Sequence, residues 1–355
     1  MRIVVTGASG NVGTALLRRL LAAPKVDDIV GVSRRRPAPG TEPYSRVTWA
    51  AVDISAPDAP AALAEVFRGA DAVIHLAWLL QPNRDEPLMW RTNVRGLRHV
   101  LEAVRRAGVP QIVATSSVGA YSVGPKRRRV DESWPTGGIA TSHYARHKAA
   151  GERILDAFET DHPGTVVTRL RPGLVMQADP GAELAELFLG PLVPRFLLRP
   201  GALPAVPLPT GVISQVVHAD DLADAYWRAV ERKAPGAFNI AAEPVVGPLE
   251  FADALGTRTV PIRAAVLRSL LASAWRAHLV PVDPGWLDIA LSVPVMSTER
   301  ARRELGWEPR IDARDALAEA LAGIAEGRRL PGSPPLDPRS QRVRRLRPRG
   351  VRSPR

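Results

Sequence analysis

Through the first half of the chain, short β-branched runs alternate with longer stretches whose apolar positions recur every three or four residues. The runs at 2–6, 28–33, 46–52, 72–76, 111–115 and 166–170 predict strands, and 12–22, 60–68, 87–107 and 142–160 predict helices. That order predicts a parallel sheet with helices on both faces. Leu97, Val100, Leu101 and Val104 give one helix a single apolar side, and Gly108 followed by Pro110 should stop it.

The texture changes after Pro172. Residues 183–211 are apolar and rich in proline, and 262–294 read as largely apolar helix carrying Trp275, Trp286 and Leu287. Between them, 211–242 read as strand, helix and strand returning to the main sheet. The expected division is a sheet domain of 1–172 with 212–242, a smaller and mostly helical substrate lobe of 173–211 with 243–330, and a tail of 331–355.

Composition supports a folded, enzyme-sized protein of 355 residues with 45% hydrophobic and 24% charged positions. Without cysteine, disulfides, thiolate nucleophiles and cysteine-held metals are excluded. The start runs straight into a glycine turn and reads as a strand rather than a leader. No apolar run approaches a membrane span, and the expected location is the cytoplasm. The formal charge of +12 is uneven, because residues 331–355 hold eight arginines and one aspartate, leaving +5 of the +12 to the other 330 residues. The proline- and arginine-rich tail has little to bury, so disorder is expected and no specific nucleic-acid partner is.

Thr6-Gly7-Ala8-Ser9-Gly10-Asn11-Val12-Gly13 follows a strand and opens a helix. Gly7 permits the tight turn, Gly10 lets a pyrophosphate approach and Gly13 allows close helix packing, with Asn11 and Val12 at the positive helix terminus. The fold class this points to is α/β, a Rossmann-type doubly wound parallel sheet. No acid ends the second strand. Ser33 is followed instead by Arg34, Arg35 and Arg36, of which Arg34 and Arg35 are candidates for a ribose 2′-phosphate, so NADP is expected, with NAD as the alternative.

Tyr144 and Lys148 stand four apart on one predicted helix, and a lysine ammonium beside a phenol would favour the phenolate and ease proton transfer. Ser117, beyond the end of the fifth strand, places a hydroxyl where ligands of such sheets bind. His143 and His147 share the four-residue spacing but lack a further ligand, so no metal site is expected.

With these motifs the chain resembles the extended short-chain dehydrogenase/reductases, also called the NAD-dependent epimerase/dehydratase family. The resemblance extends through Asp53-Ile54, His75-Leu76-Ala77, Asn93-Val94-x-Gly96 and Ser117 four before Tyr121. It continues through Leu170-Arg171-Pro172, Val217-His218-x-Asp220-Asp221 and Glu304-Leu305-Gly306-Trp307-x-Pro309. It implies that Asp53 and Ile54 contact the adenine, that Leu76 and Ala77 line the cofactor channel, and that Asn93 supports the site. Lys148 would hold the nicotinamide ribose, Ser117 the substrate oxygen, and Tyr144 would transfer the proton.

Family members acting on nucleotide sugars often carry an asparagine where this chain has Leu174, which cannot supply an amide hydrogen bond. Phe188, Leu189, Phe196, Leu197 and Leu198 fall in the region expected to cover the pocket. The expected activity is oxidoreduction of a small or moderately apolar carbonyl or alcohol, with a homodimer left open. The alternatives are a nucleotide-sugar epimerase or dehydratase, and an NADP-sensing regulator without turnover. Regulators of this family commonly lose the tyrosine or lysine, and both are present here.

Overall fold

The computed structural model describes residues 1–81, 84–190 and 192–337. Seven parallel strands form one sheet in the order Gly236–Ile240, Val166–Pro172, Gln111–Thr115, Ala72–His75, Arg2–Thr6, Asp28–Ser33 and Thr48–Ala51. Along the chain, β1 (Arg2–Thr6) leads into α1 (Asn11–Leu21), followed by β2 (Asp28–Ser33) and β3 (Thr48–Ala51). Next come α2 (Ala59–Phe67), β4 (Ala72–His75), α3 (Glu86–Trp90), α4 (Gly96–Ala107) and β5 (Gln111–Thr115). The expected helix 87–107 is one continuous run in which Arg91–Arg95 forms a π-turn between α3 and α4. Gly108 ends it in the left-handed conformation, with φ of 64°.

A two-residue strand, β6 (Arg129–Val130), precedes α5 (His143–Asp161), whose Ser142 cap accepts the Ala145 N–H. The chain then forms β7 (Val166–Pro172), β8 (Leu174–Met176), α6 (Gly181–Leu184), β9 (Val206–Leu208), β10 (Val216–His218), α7 (Ala219–Arg232) and β11 (Gly236–Ile240). Of the two strands flanking α7, only β11 joins the main sheet. The expectation for β10 is corrected: it pairs with β8 in a separate two-stranded sheet. The rest is α8 (Pro248–Ala254), β12 (Thr259–Pro261), α9 (Ala264–Arg276), α10 (Gly285–Ser292), β13 (Val295–Met296) and α11 (Ala313–Glu326).

Two apolar layers sandwich the sheet. Leu16, Leu20, Leu222, Tyr226 and Trp307 belong to one, and Leu63, Phe67, Leu101 and Val104 to the other. Two motifs distant in sequence lock together on the first face. Asp221 Oδ2 accepts the N–H groups of Arg310 and Ile311 at 3.0 Å each, and Trp307 Nε1 donates to the Asp221 carbonyl at 2.8 Å. Leu305 and Trp307 are therefore core of the sheet domain, although their sequence position had assigned them to the lobe. His218 caps α7, its Nδ1 accepting from Asp220 N at 3.1 Å.

The expected tail starts too early. Residues 331–337 fold back over the glycine turn: Leu336 is fully buried, Ser333 Oγ donates to the Ser9 carbonyl at 2.7 Å, and Ala38 N donates to Gly332 O at 2.9 Å. Leu336 and these bonds dock a segment whose composition had suggested little to bury. Residues 338–355, which hold all eight arginines of that tail, lie outside the described residues.

Candidate active site

Strand order reverses beside β1, with β4 on one side and β2 on the other, and the glycine turn sits at that switch point. Gly7 has φ of +76°, and a Cβ there would meet the Ala77 backbone at 2.7 Å, so Gly7 lets the β4 loop carrying Leu76 and Ala77 pass close by. A Cβ on Gly13 would lie 2.4 Å from the Gly7 carbonyl. Gly10 differs, because a Cβ there would meet nothing nearer than the Gly7 carbonyl at 3.4 Å. Protein packing does not demand its missing side chain, and Gly10 immediately precedes α1, whose first amides lack partners within the helix. That is the cradle a pyrophosphate requires, so these residues fit a dinucleotide. Asn11 is held from across the turn, its carbonyl accepting from Gln177 Nε2 at 3.1 Å. Val12 follows it in the first turn of α1 and packs against the core.

Of the residues expected at the adenosine end, Arg34 and Arg35 are exposed just beyond β2. Asp53 is exposed and closes its own turn onto Ser55, accepting N–H and Oγ–H at 2.9 and 2.7 Å. Ile54 is buried under α4, filling the space that Gly96 leaves.

Ser117, Tyr144 and Lys148 converge at the carboxyl end of the sheet. Ser117 caps a short helical turn, its Oγ accepting from Gly119 N at 3.0 Å, and it is hydrogen-bonded to Tyr144. Gly119 makes room for the phenol, since a Cβ there would lie 2.9 Å from Tyr144 Cε1. Lys148 Nζ donates to the Thr115 carbonyl at 2.8 Å. Asn93, in the π-turn, clamps the loop after β4 by accepting from Leu79 N at 2.7 Å and donating to Leu79 O at 2.9 Å. π-turns recur at functional positions, and this one turns Asn93 inward.

The expected electrostatics are corrected. Burial pushes the Tyr144 phenol above its ordinary value, and the Ser117 hydrogen bond offsets only part of this. Burial likewise lowers Lys148 to about 7, with Glu152 opposing. The ammonium sits over Trp78, 3.6 Å from the ring centre, and is 5.9 Å from the centre of the Tyr144 ring. In this structure desolvation outweighs the mutual help expected of the pair.

Trp78 was not anticipated from sequence. It meets Tyr144 edge-on at 5.7 Å, Trp286 tilts against Tyr144 at 5.0 Å, and Phe188 packs edge-on to Trp286 at 5.3 Å. An aromatic wall thus encloses the phenol. Phe196, expected over the pocket, is instead 55% exposed. The wall is fastened to α5, because Asp283 accepts the Gly285 N–H at 2.6 Å at the start of α10 and lies 3.3 Å from His143 Nδ1. His147 is buried against Trp90, 3.7 Å from Glu86.

Behind Lys148 lies a cavity of about 20 Å³, room for about one water, lined by Asn93, Thr115, Ser116 and Glu152 among others. Glu152 faces Arg171, which donates Nε to Oε1 at 2.8 Å and Nη2 to Oε2 at 2.9 Å. Arg171 Nη1 also donates to Tyr121 Oη at 2.9 Å, and Tyr121 donates to Asn239 Oδ1 at 2.7 Å. The Leu-Arg-Pro motif and Tyr121 therefore build the wall behind the trio.

A parallel sheet with a glycine cradle at its switch point, and a serine, tyrosine and lysine at its carboxyl edge, defines the short-chain dehydrogenase/reductase class. The model of the NAD dependent epimerase/dehydratase family matches residues 3–241, and the chain belongs to that family. It is 26% identical to the 4-hydroxy-2-methyl-3-oxo-4-farnesyl-3,4-dihydroquinoline-1-oxide ketoreductase of Stigmatella aurantiaca, covering 90% of this chain and 96% of that one. It is 28% identical to the UDP-glucose 4-epimerase of Mycolicibacterium smegmatis, covering 92% and 98%. An uncharacterised Mycobacterium tuberculosis protein is 29% identical over 91% of this chain, which spans only 30% of that protein's length. The UDP-glucose 4-epimerase of Stenotrophomonas maltophila, solved with NAD and formylated UDP-arabinopyranose, shares the fold with a TM-score of 0.69 at 21% identity, over 92% of this chain and 98% of that one.

Proposed function

We propose that the chain is an NADP-linked oxidoreductase acting on a small or moderately apolar carbonyl or alcohol. The observation that carries this reading is the Tyr144 phenol, hydrogen-bonded to Ser117 and set between Trp78 and Trp286. When bound, the dinucleotide supplies or accepts hydride. The Ser117 hydroxyl orients the carbonyl oxygen, and Tyr144 Oη gives it a proton in reduction and takes the proton back in oxidation. A phenol held neutral by burial is suited to the donor role. The aromatic wall excludes water from the reacting carbon. Lys148 holds the ribose, Asn93 keeps the loop carrying Trp78 in place, and Gly7, Gly10, Asn11, Val12 and Gly13 cradle the pyrophosphate.

An apolar ketone suits this wall and Leu174, and the related ketoreductase acts on a farnesylated quinoline oxide by its name. NADP is preferred although solved neighbours are bound to NAD, because Arg34 and Arg35 stand exposed where β2 ends. A chain without cysteine suits the cytoplasm.

The test is a screen of apolar ketones, alcohols and nucleotide sugars with each cofactor, following nicotinamide absorbance and sugar products. The wild type is expected to consume NADPH with apolar ketones, and Tyr144→Phe to lose about 10²- to 10⁴-fold in turnover. Turnover of nucleotide sugars alone, or equal rates for wild type and variant, overturns the proposal.

A further inference from the structure

We infer that the substrate lobe docks on the surface of an anionic lipid bilayer through the outer face of α9 and the segments packed beside it. Ten large apolar side chains are strongly exposed among the described residues, and six of them fall in 187–219 and 254–282: Leu192, Phe196, Val260, Val266, Leu270 and Leu279. These segments make up under a fifth of the chain, and the six are 45–60% exposed. No residue of α9 is buried, and Val266 and Leu270 stand one turn apart on its outer face. Exposed apolar side chains concentrated in so short a part of the chain mark an interaction surface.

The two segments form one lobe. Strand β9 pairs with β12, Gly201 N donates to Leu255 O at 2.9 Å, and Gln81 Nε2 ties Leu187 O at 3.0 Å to Pro281 O at 3.3 Å.

Charge selects the partner. The same segments contain six arginines, and the nearest acids, Glu186, Asp220, Asp253 and Asp283, stand just outside their ends. Arg268 is occupied by Asp288 and Arg195 is half-buried, but Arg199, Arg258, Arg263 and Arg276 are exposed and unpaired among the described residues. Exposed apolar side chains in the same lobe as unpaired arginines fit the boundary between acyl chains and anionic headgroups. No helix among the described residues is long and apolar enough to cross a membrane, so the contact is peripheral.

The docking face adjoins the site. Arg268 of α9 holds Asp288 of α10 through two bonds of 2.8 and 2.9 Å, and α10 carries the Trp286 that lies on Tyr144. A lipophilic substrate could pass from bilayer to pocket beside these helices. The docking itself is a property of the surface and is independent of which reaction the site performs.

The experiment is sedimentation of the full-length protein with vesicles of phosphatidylcholine alone or with about 30 mol % phosphatidylglycerol. The wild type is expected to bind the anionic vesicles at least about tenfold more tightly and to be released by salt. Val266→Glu/Leu270→Glu is expected to bind at least tenfold more weakly while keeping its circular dichroism and dinucleotide affinity. No vesicle binding by the wild type overturns the inference, as does undiminished binding by the variant, which would assign it to the basic residues 338–355. A wild-type dimer dissolved by the variant, without vesicle binding, overturns it in favour of a second copy.

Discussion

Lys148 Nζ lies 3.6 Å from the centre of the Trp78 ring, so the indole covers the buried ammonium. Lys148 titrates at about 7 in the fold against an ordinary 10.5, because burial disfavours its charge more than Glu152 favours it. Between those values the unfolded chain binds more protons than the native one, so Lys148 makes stability rise with pH, by up to about 1.4 kcal/mol per unit. Trp78→Ala should admit water, return Lys148 toward its ordinary value and flatten that rise. Urea midpoints from about pH 7 to 9.5 measure both slopes, and parallel curves would show that the indole is not what keeps Lys148 dry.

Glu152 and Arg171 form a buried pair whose partners cannot be removed singly without leaving a charge alone. Burial opposes ionisation of Glu152, but the hydrogen bonds and charge of Arg171, with the Ser116 hydroxyl, hold it below the ordinary carboxylate range. Its contribution is therefore present above the unfolded carboxylate pKa and disappears as pH falls through the lower folded value. At neutral pH, Glu152→Gln should cost about 3–5 kcal/mol in urea unfolding, and Glu152→Leu/Arg171→Met should recover much of it. A loss under about 1 kcal/mol for the single variant would mean that water already reaches the pair.

What sequence made legible was local. β1, the glycine turn and α1 follow one another within 21 residues, and Gly108 stops α4 by its own backbone preference. The trio was legible because helical spacing and strand ends fix where Tyr144, Lys148 and Ser117 can project. Trp78 was not, because its role depends on α5 arriving from 70 positions away to place Lys148 under the ring. The direction of the Tyr144 shift was hidden for the same reason, since desolvation is set by Trp286 and other distant residues rather than by the neighbour four positions along. β10 was misassigned because strand character does not name a partner, and here β8 takes it.

The segment 331–337 makes a prediction about the cofactor cradle, because Ser333 Oγ is bonded to the Ser9 carbonyl inside the glycine turn. Leu336→Ala should destabilise the fold by about 2–5 kcal/mol, the cost of emptying a fully buried leucine site. A chain ending at 330 should bind NADPH more weakly than one ending at 337, as read by the change in nicotinamide fluorescence on binding. The chain ending at 337 should match the full-length protein. Equal affinity for all three would show that the glycine turn holds its shape without the strap.

Arg34 sets the choice between cofactors if the end of β2 meets the adenosine ribose. The strand places no carboxylate there to hold two ribose hydroxyls, and Arg34 and Arg36 stand exposed without an ion-pair partner among the described residues. A hydrogen bond from a guanidinium to a phosphate is charge-assisted and contributes about 1.5–3 kcal/mol, so Arg34→Ala should weaken NADP by roughly 10- to 100-fold. NAD has no phosphate at that position, and its affinity should change little. The wild-type preference for NADP should also shrink as salt screens the arginines. Isothermal titration of both dinucleotides at two ionic strengths checks each of these. Tighter NAD binding by the wild type, or equal losses for both cofactors in Arg34→Ala, would reduce the arginine run to a solvated loop.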